Sequence, residues 1–260
     1  MVLTDQLHRK LQFHDVPKRI VSLVPSQTEL VFDMGLGQNL VGITKFCVHP
    51  QQLRKEVTVV GGTKQINLEK LKALNPDLIL CNKEENTEAI VNDCESIAQV
   101  HISDVVSISD CLKLIEQYGI IFNKNKEAQD LISLISHEQS EFEAFVENRD
   151  QLKVAYFIWK DPWMVAGGDT FINTMLTLNC FNNMFEDKGR YPEVDLAELE
   201  DLDLILLSSE PYPFKEDHIL AMKQKYPKST VLIVDGEMFS WYGSRLTKSF
   251  DYFKKLCHEI

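Results

Sequence analysis

Residues 123–149 read NKNKEAQDLISLISHEQSEFEAFVENR, a stretch with neither proline nor glycine. Apolar side chains recur in it at spacings of three and four residues, which predicts a helix with one apolar face. At about 1.5 Å per residue, this helix would extend on the order of 35–40 Å. Glu138 and Gln139 interrupt the apolar face near its middle. The interruption favours a helix that connects two bodies; an ordinary surface helix or a coiled-coil arm is the alternative.

The same order of short strands and helices occurs on both sides of this stretch. LEKLKALNPDLILC at 68–81 is followed by VHISD at 100–104, and LAELEDLDLILL at 196–207 is followed by VLIVD at 231–235. Strands that alternate with helices are typical of parallel sheets. We therefore predict an α/β fold of two similar lobes, 1–122 and 151–260, joined by one long rigid helix over 123–150, with a ligand cleft between the lobes. A single doubly wound sheet is the alternative.

Composition and charge exclude several classes of protein. A net charge of −12 argues against nucleic acid as a partner. No apolar run is long enough for a signal peptide or a membrane span, so we expect a cytoplasmic protein or a chain whose leader is absent. The six cysteines form no CxxC pair, which favours reduced thiols over a disulfide framework.

Aromatic residues follow several of the predicted strands. In open α/β sheets, ligands bind beyond the carboxyl ends of the strands. All three tryptophans of the chain lie there, and such rings usually pack or bind. The candidate ligand contacts at these strand ends are Ser26, Phe46, Cys47, His49, Asn82, Lys83, Trp159, Trp163, Tyr212, Trp241 and Tyr242. Two such rims would suit a flat or bulky apolar ligand, although part of the aromatic set is expected to pack on its own lobe.

Metal and catalytic sites are poorly supported. Cys47 and His49 share a face of an extended segment, but a structural zinc site needs four ligands and no second Cys/His cluster is present. GxGxxG, P-loop and GxSxG motifs are absent. An enzyme would have to use loosely grouped residues, namely Lys83, Glu84, Glu85, Arg190 and Glu210. We therefore expect no catalytic residue, no metal site and no required cofactor.

Longer motifs resemble a known family. RIVSLVPSQTELVFDMGLGQNLVGIT, FCVHP, VGGTKQINLEKLKALNPDLIL, VAGGDTFINTML, RYPEVDLAEL and FSWYGSRL occur in this order along essentially the whole chain. They resemble the helical-backbone class of substrate-binding proteins of ABC importers, most closely vitamin B12-binding proteins, with siderophore and haem binders further off. The resemblance implies two lobes on a rigid helix, a ligand in the cleft, and no catalysis.

The resemblance also implies roles for particular residues. Family members dock on a permease through one glutamate per lobe, which corresponds here to Glu69 and, because Ala197 stands at the second matching position, to the adjacent Glu198. Tyr191 keeps an aromatic ring at a cleft position, and Arg190 beside it is a further candidate contact. Asn82 and Met238 stand near positions where B12 binders carry tryptophan.

The sequence thus predicts a non-catalytic solute-binding protein, a monomer that holds a corrinoid, haem or ferric-siderophore ligand for uptake by an ABC permease. A cytosolic metal or corrinoid chaperone or sensor on the same fold is the alternative.

Overall fold

Two sheets of mainly parallel strands form the framework of this protein. The structure is a computed structural model that describes residues 1–199 and 201–260. For Glu198 it describes the backbone only. By internal packing the chain divides into two compact units. Unit 1 comprises Met1–Val105, Ser109–Ile135 and Tyr242–Arg245, and unit 2 comprises Val106–Ile108, Ser136–Trp241 and Leu246–Ile260. None of the described helices is both long enough and apolar enough to cross a membrane.

The sheet of unit 1 consists of five parallel strands. The strands of this unit are β1 (Val2–Thr4), β2 (Lys10–Gln12), β3 (Ile20–Ser22), β4 (Leu40–Thr44), β5 (Thr58–Gly61), β6 (Leu78–Asn82) and β7 (Gln99–Ser103). Its helices are α1 (Pro25–Val31), α2 (Leu53–Glu56), α3 (Leu68–Ala73), α4 (Glu88–Glu95) and most of α5 (Ile108–Ile121). The order across the sheet is β5-β4-β3-β6-β7, while β1 and β2 form a separate antiparallel hairpin. Every residue of β3 and β6 is buried, as expected of central strands covered on both faces.

The sheet of unit 2 is built on the same principle. Its strands are β8 (Leu152–Trp159), β9 (Met164–Val165), β10 (Phe181–Asn183), β11 (Leu204–Ser208) and β12 (Thr230–Val234). Its helices are α7 (Phe171–Leu178), α8 (Glu216–Lys225), α9 (Gly236–Ser240) and α10 (Leu246–Glu259). Four strands are parallel in the order β10-β8-β11-β12, and β9 pairs antiparallel with β8. The prediction of an α/β fold with parallel sheets is confirmed.

The long helix of the middle of the chain is α6 (Asn125–Val146), shorter than the stretch 123–150 predicted for it. The sequence offers Asn123 or Asn125 as the cap of this helix. Asn123 has a φ of 54° and lies where α5 ends, because the Lys124 amide donates to the Gly119 carbonyl. Glycine at position 119 allows the two helices to approach closely here, since a Cβ there would lie 2.6 Å from the Cβ of Ala128. The first half of α6 belongs to unit 1 and the second half, from Ser136, to unit 2.

Two predicted helices differ from the structure. The stretch TELVFDMG predicts a helix over residues 28–35, but the helix begins at Pro25, because proline is favoured in the first turn, where its missing N–H costs nothing. The stretch LAELEDL also predicts a helix, but Leu196–Glu198 forms a 3₁₀ turn, in which the Asp195 side chain accepts from the Ala197 amide at 2.8 Å. Leu199 and Leu202 then join the core of unit 2.

Candidate ligand-binding surfaces

An exposed indole marks the rim of unit 2. Trp159 is the last residue of β8 and is 39% exposed. Its ring meets the ring of Tyr212 edge to face, with centroids 5.5 Å apart and planes at 73°. Tyr212 follows the neighbouring strand β11, so two strand ends together support one aromatic surface. Both residues lie at the strand ends, as predicted, and Trp159 presents apolar area that its own unit leaves uncovered.

Trp163 is packed more tightly than Trp159. Its ring stacks on Phe214 with centroids 6.0 Å apart and planes at 10°, and meets Phe157 edge to face at 5.5 Å. These contacts hold Trp163 against the core of unit 2. The ammonium of Lys160 lies 5.8 Å from the indole centroid, within the range of a cation–π contact. The position of Trp163 is therefore determined largely by packing.

Phe214 and His218 complete this aromatic cluster, and the sequence reasoning missed both. The His218 ring meets Tyr212 at 5.6 Å and Phe214 at 5.3 Å, in both cases edge to face. Its Nδ1 lies 3.0 Å from the Lys215 amide, and its Nε2 lies 3.4 Å from the Tyr212 hydroxyl. The imidazole thus orients Tyr212. The sequence signal was the short spacing of Tyr212, Phe214 and His218 after a strand.

A cavity of about 540 Å³ opens at the ends of β11 and β12, within the usual size range of ligand pockets. It is lined by Ser209, Glu210, Ile233, Val234, Asp235 and Glu237. Trp241 is buried beside it, and its Nε1 donates to Glu210 Oε1 at 3.0 Å. The Ser240 hydroxyl donates to the same oxygen at 3.1 Å. These two hydrogen bonds fix the carboxylate of Glu210, a residue that lines the cavity.

Asn82 shapes the strand end of unit 1 from a buried position. Its Oδ1 accepts from the amides of Glu84 at 2.8 Å and Glu85 at 3.1 Å, and its Nδ2 donates to the Ser103 carbonyl at 3.1 Å. The side chain of Asn82 therefore stabilises the turn rather than contacting a ligand. Lys83 is exposed and pairs with Asp104 at 2.6 Å. Burial, opposed in part by the nearby Lys64 ammonium, raises the pKa of Glu85.

The side chains of Phe46 and Cys47 lie in opposite environments, the first at the surface and the second in the core. Phe46 is 49% exposed, with the Lys45 ammonium 5.0 Å from its ring centroid. The Cys47 thiol is fully buried, 3.1 Å from the Thr28 hydroxyl and 3.2 Å from that of Thr44, and burial raises its pKa. It faces the interior of unit 1 and away from solvent. His49 is half-buried and precedes a cis proline.

Ser26 and Tyr242 belong to a buried hydrogen-bond network of unit 1. The Tyr242 hydroxyl accepts from Gln27 Nε2 at 2.9 Å and lies 3.2 Å from the Ser103 hydroxyl. Ser26 also hydrogen-bonds this hydroxyl, and burial raises the pKa of Tyr242. Gln27 in turn accepts from the Tyr118 hydroxyl at 2.7 Å. Ser26 and Tyr242 therefore stabilise the unit from within.

The remaining predicted residues lie at the surface or outside the described side chains. Arg190 is exposed with a φ of 49°, and its backbone amide donates to the Gly168 carbonyl at 3.1 Å. Tyr191 is half-buried. Glu69 is exposed in the first turn of α3, which Asn67 caps by accepting from the Lys70 amide at 2.9 Å. The side chain of Glu198 lies outside the described residues.

An α/β fold that gathers aromatic rings and a cavity at its strand ends is typical of proteins that bind small molecules. Within that class, the chain belongs to the family of periplasmic binding proteins, whose family pattern matches residues 20–225.

Individual relatives are similar over much of the chain. YvrC, an uncharacterized ABC transporter substrate-binding lipoprotein of Bacillus subtilis, is 29% identical over 72% of this chain and 62% of its own length. The chain thus spans less than two thirds of that relative. A vitamin B12-binding protein of Pectobacterium carotovorum is 24% identical over 89% of this chain and 85% of its own length.

Solved structures share the fold at lower sequence identity. The periplasmic vitamin B12-binding protein BtuF of Vibrio cholerae superposes with a TM-score of 0.80 at 18% identity, covering 94% of this chain and 99% of its own. A periplasmic heme-binding protein, BhuT, in complex with two hemes also gives 0.80 at 18% identity, covering 93% of this chain and 98% of its own.

Proposed function

We propose that this chain is the non-catalytic, solute-binding component of an ABC-type importer, and that its ligand is a bulky metal chelate such as a corrinoid, a haem or a ferric siderophore. Membership of the periplasmic binding protein family supports the binding role. The vitamin B12-binding and heme-binding proteins among its relatives and structural neighbours support the ligand class. The chelate is cargo rather than a cofactor.

The exposed face of Trp159 is the single observation that carries this proposal. A large ring left 39% exposed at a strand end costs free energy in water, which a flat ligand would recover by covering it. Tyr212 supports the indole from the side, and His218 in turn orients Tyr212. The surface is thus held in place before the ligand arrives, which lowers the entropic cost of binding.

Titration with cyanocobalamin, cobinamide, hemin and a ferric catecholate, followed by tryptophan fluorescence, tests the proposal. We expect at least one of them to quench the fluorescence at micromolar concentration. The variant Trp159→Ala should bind that compound roughly tenfold more weakly. Leu220→Ala is the matched control, because Leu220 is 62% exposed on α8. Absence of quenching by all four compounds would contradict the proposed ligand class.

The proposed permease contact includes Glu69. This carboxylate is exposed at the positive end of the α3 dipole, where a basic partner could reach it without displacing packed residues. The test measures ligand uptake by cells in which Glu69→Lys replaces the native protein. We expect reduced transport, while the purified variant keeps its ligand affinity.

A cytosolic chaperone or sensor on the same fold is the second candidate. The observation in its favour is that all six cysteines are free, five of them buried. Fractionation of native cells separates the two candidates, because a surface or periplasmic location would exclude the cytosolic one.

A further inference from the structure

The cavity at the ends of β11 and β12 in unit 2 is acidic. Three of the six residues that line it carry a carboxylate, namely Glu210, Asp235 and Glu237, and none of its described lining residues is basic. The side-chain oxygen of Ser209, which also lines the cavity, already accepts from the Gly236 amide at 3.0 Å. The cavity therefore offers a ligand mainly carboxylate oxygens, which only accept hydrogen bonds when they are ionised.

Neutral donors hold Glu210 in place at this cavity. Its Oε1 accepts from the Trp241 indole at 3.0 Å and from the Ser240 hydroxyl at 3.1 Å. Neither donor carries a charge, so the two hydrogen bonds orient the carboxylate and leave its negative charge in place. Because Trp241 is buried, this orientation is set before a ligand arrives, which lowers the entropic cost of binding.

The three carboxylates of the cavity do not form a metal site. In the part of the chain that the structure describes, no group of three or more His, Cys, Asp or Glu residues could hold a metal ion. The Asp235 side chain accepts from the Glu237 amide at 3.0 Å, where it caps α9. The groups that suit this cavity are therefore N–H or O–H donors of a ligand, which carboxylates bind through charge-assisted hydrogen bonds.

The cavity adjoins the aromatic surface at Trp159. Glu210 lies two residues before Tyr212, whose ring supports the Trp159 indole. The strands β8, β11 and β12 are successive members of one sheet, so at about 4.8 Å per step the strand that ends at Trp159 and the strand before Asp235 are about 10 Å apart. A ring system that lies on Trp159 would extend its peripheral substituents toward the cavity.

Unit 1 provides an independent observation of the same kind. Glu84 follows β6, and its Oε1 is buried and accepts no hydrogen bond from the residues that the structure describes. The neighbouring Lys83 pairs with Asp104 at 2.6 Å, and the Lys64 ammonium donates to the backbone carbonyl of Glu84. A buried acceptor without a donor costs free energy, which an N–H group of a ligand would recover.

We propose that Glu210 and its cavity select the cargo by its peripheral substituents, so that a macrocycle with amide groups is bound and one with carboxylates is rejected. This inference rests on the proposed function and narrows its ligand class. An amide N–H donates to the Glu210 carboxylate, whereas a carboxylate substituent brings like charges together, a juxtaposition that disfavours the wrong partner. Among the proposed cargoes, corrinoids carry amides, haem carries propionates, and ferric catecholates are anionic.

The test compares two forms of one ring that differ in the charge of their substituents. One pair is cyanocobinamide and the same corrin ring with its amides hydrolysed to carboxylates. The other pair is the diamide of hemin and hemin itself. Affinities are measured by tryptophan fluorescence at constant pH and salt. For the ring that binds, we expect the amide form to bind at least roughly tenfold more tightly than the carboxylate form.

The variant Glu210→Gln should reduce this preference about fivefold, because glutamine keeps an acceptor for Trp241 and removes the charge. Glu216→Gln is the matched control, since it removes the same charge from an exposed position on α8 outside the cavity lining and should leave the preference unchanged. Glu237→Gln, which leaves the hydrogen bonds of Glu210 intact, is a second variant that should also lower the preference and serves if Glu210→Gln fails to fold.

Two results would overturn this inference and leave the proposed function in place. One is equal affinity for the amide and carboxylate forms of a ring that binds. The other is a preference that neither Glu210→Gln nor Glu237→Gln changes. Failure of all four compounds to bind would instead contradict the proposed function itself, and the inference with it.

Discussion

His101 is a buried imidazole with only one of its nitrogens bound. Its Nε2 lies 3.0 Å from Gln117 Oε1, and Gln117 Nε2 donates to the Thr4 carbonyl, so the histidine carries its proton on Nε2. Its Nδ1 has no hydrogen-bond partner and no exposed surface. Burial lowers the pKa of His101, an effect that the nearby Asp5 carboxylate opposes and the Arg9 guanidinium reinforces.

This lowered pKa makes stability fall in mild acid. Above about pH 6.5 the imidazole is neutral in both the folded and unfolded chains, so its contribution is fully present. As pH falls below that value the unfolded state takes up a proton that the folded state resists, at a cost of up to about 1.4 kcal/mol per pH unit. We expect His101→Leu to flatten the dependence of the urea midpoint on pH between 6.5 and 5. An identical slope in the variant and the wild type would show that other groups cause it.

Trp163 and Trp159 should respond differently to truncation. Because Trp163 packs on Phe157 and Phe214, Trp163→Ala should cost about 3 kcal/mol of unfolding free energy. Trp159→Ala removes a partly exposed ring and should cost less than about 1 kcal/mol. Urea denaturation of the two variants side by side measures the difference. Equal losses would mean that Trp159 is as much a core residue as Trp163.

At the scale of elements, the turn after β6 depends on one side chain. Asn82→Ala removes two acceptor contacts and the donors to Ser103 from a buried position, and we expect a loss of about 2–3 kcal/mol. Hydrogen exchange at the amides of Glu84 and Glu85 should accelerate at the same time. Asn182→Ala, in an exposed position of β10, is the control and should change neither quantity. Unchanged exchange at Glu84 and Glu85 would refute this role of Asn82.

Most strands could be predicted from the sequence because their signal is local. DLILC and DLILL are apolar runs after an aspartate, and the structure places β6 and β11 within one residue of them. The 3₁₀ turn at Leu196–Glu198 could not be predicted in the same way, since its leucine spacing is that of a helix. There the packing of Leu199 and Leu202 on unit 2 determines the backbone. Local periodicity predicts an element only where tertiary packing agrees with it.

The candidate site was harder to predict than the strands, because partners distant in the chain decide which side chains face solvent. Trp241 follows a strand, as predicted, but its indole donates to Glu210 and is buried. Cys47 follows a strand as well, but its buried thiol contacts the hydroxyls of Thr28 and Thr44. From the sequence alone, Trp159 and Phe46 could equally have been exposed or packed in the core. Sequence position thus located the strand ends but did not sort their side chains into surface and core.

At the scale of the whole molecule, the net charge of −12 argues against nucleic acid as a partner. The family relationship and the α/β fold were both accessible from ordered motifs spread along the chain, because these motifs are the strand ends and helix starts that the fold requires. Ligand identity was not accessible in this way, since it depends on the few exposed groups at those ends.

The composition of unit 1 has a consequence for the order of events during synthesis. Tyr242–Arg245 belongs to this unit, where Tyr242 joins the network of Gln27 and the Arg245 guanidinium pairs with the buried Glu29 carboxylate at 2.8 Å. A ribosome makes these four residues long after Ile135, the residue of this unit that precedes them in the chain. Until they emerge, Glu29 has no Arg245 to offset the cost of burying its charge. The amino-terminal half of the chain therefore completes its fold only when the carboxyl-terminal half has been made.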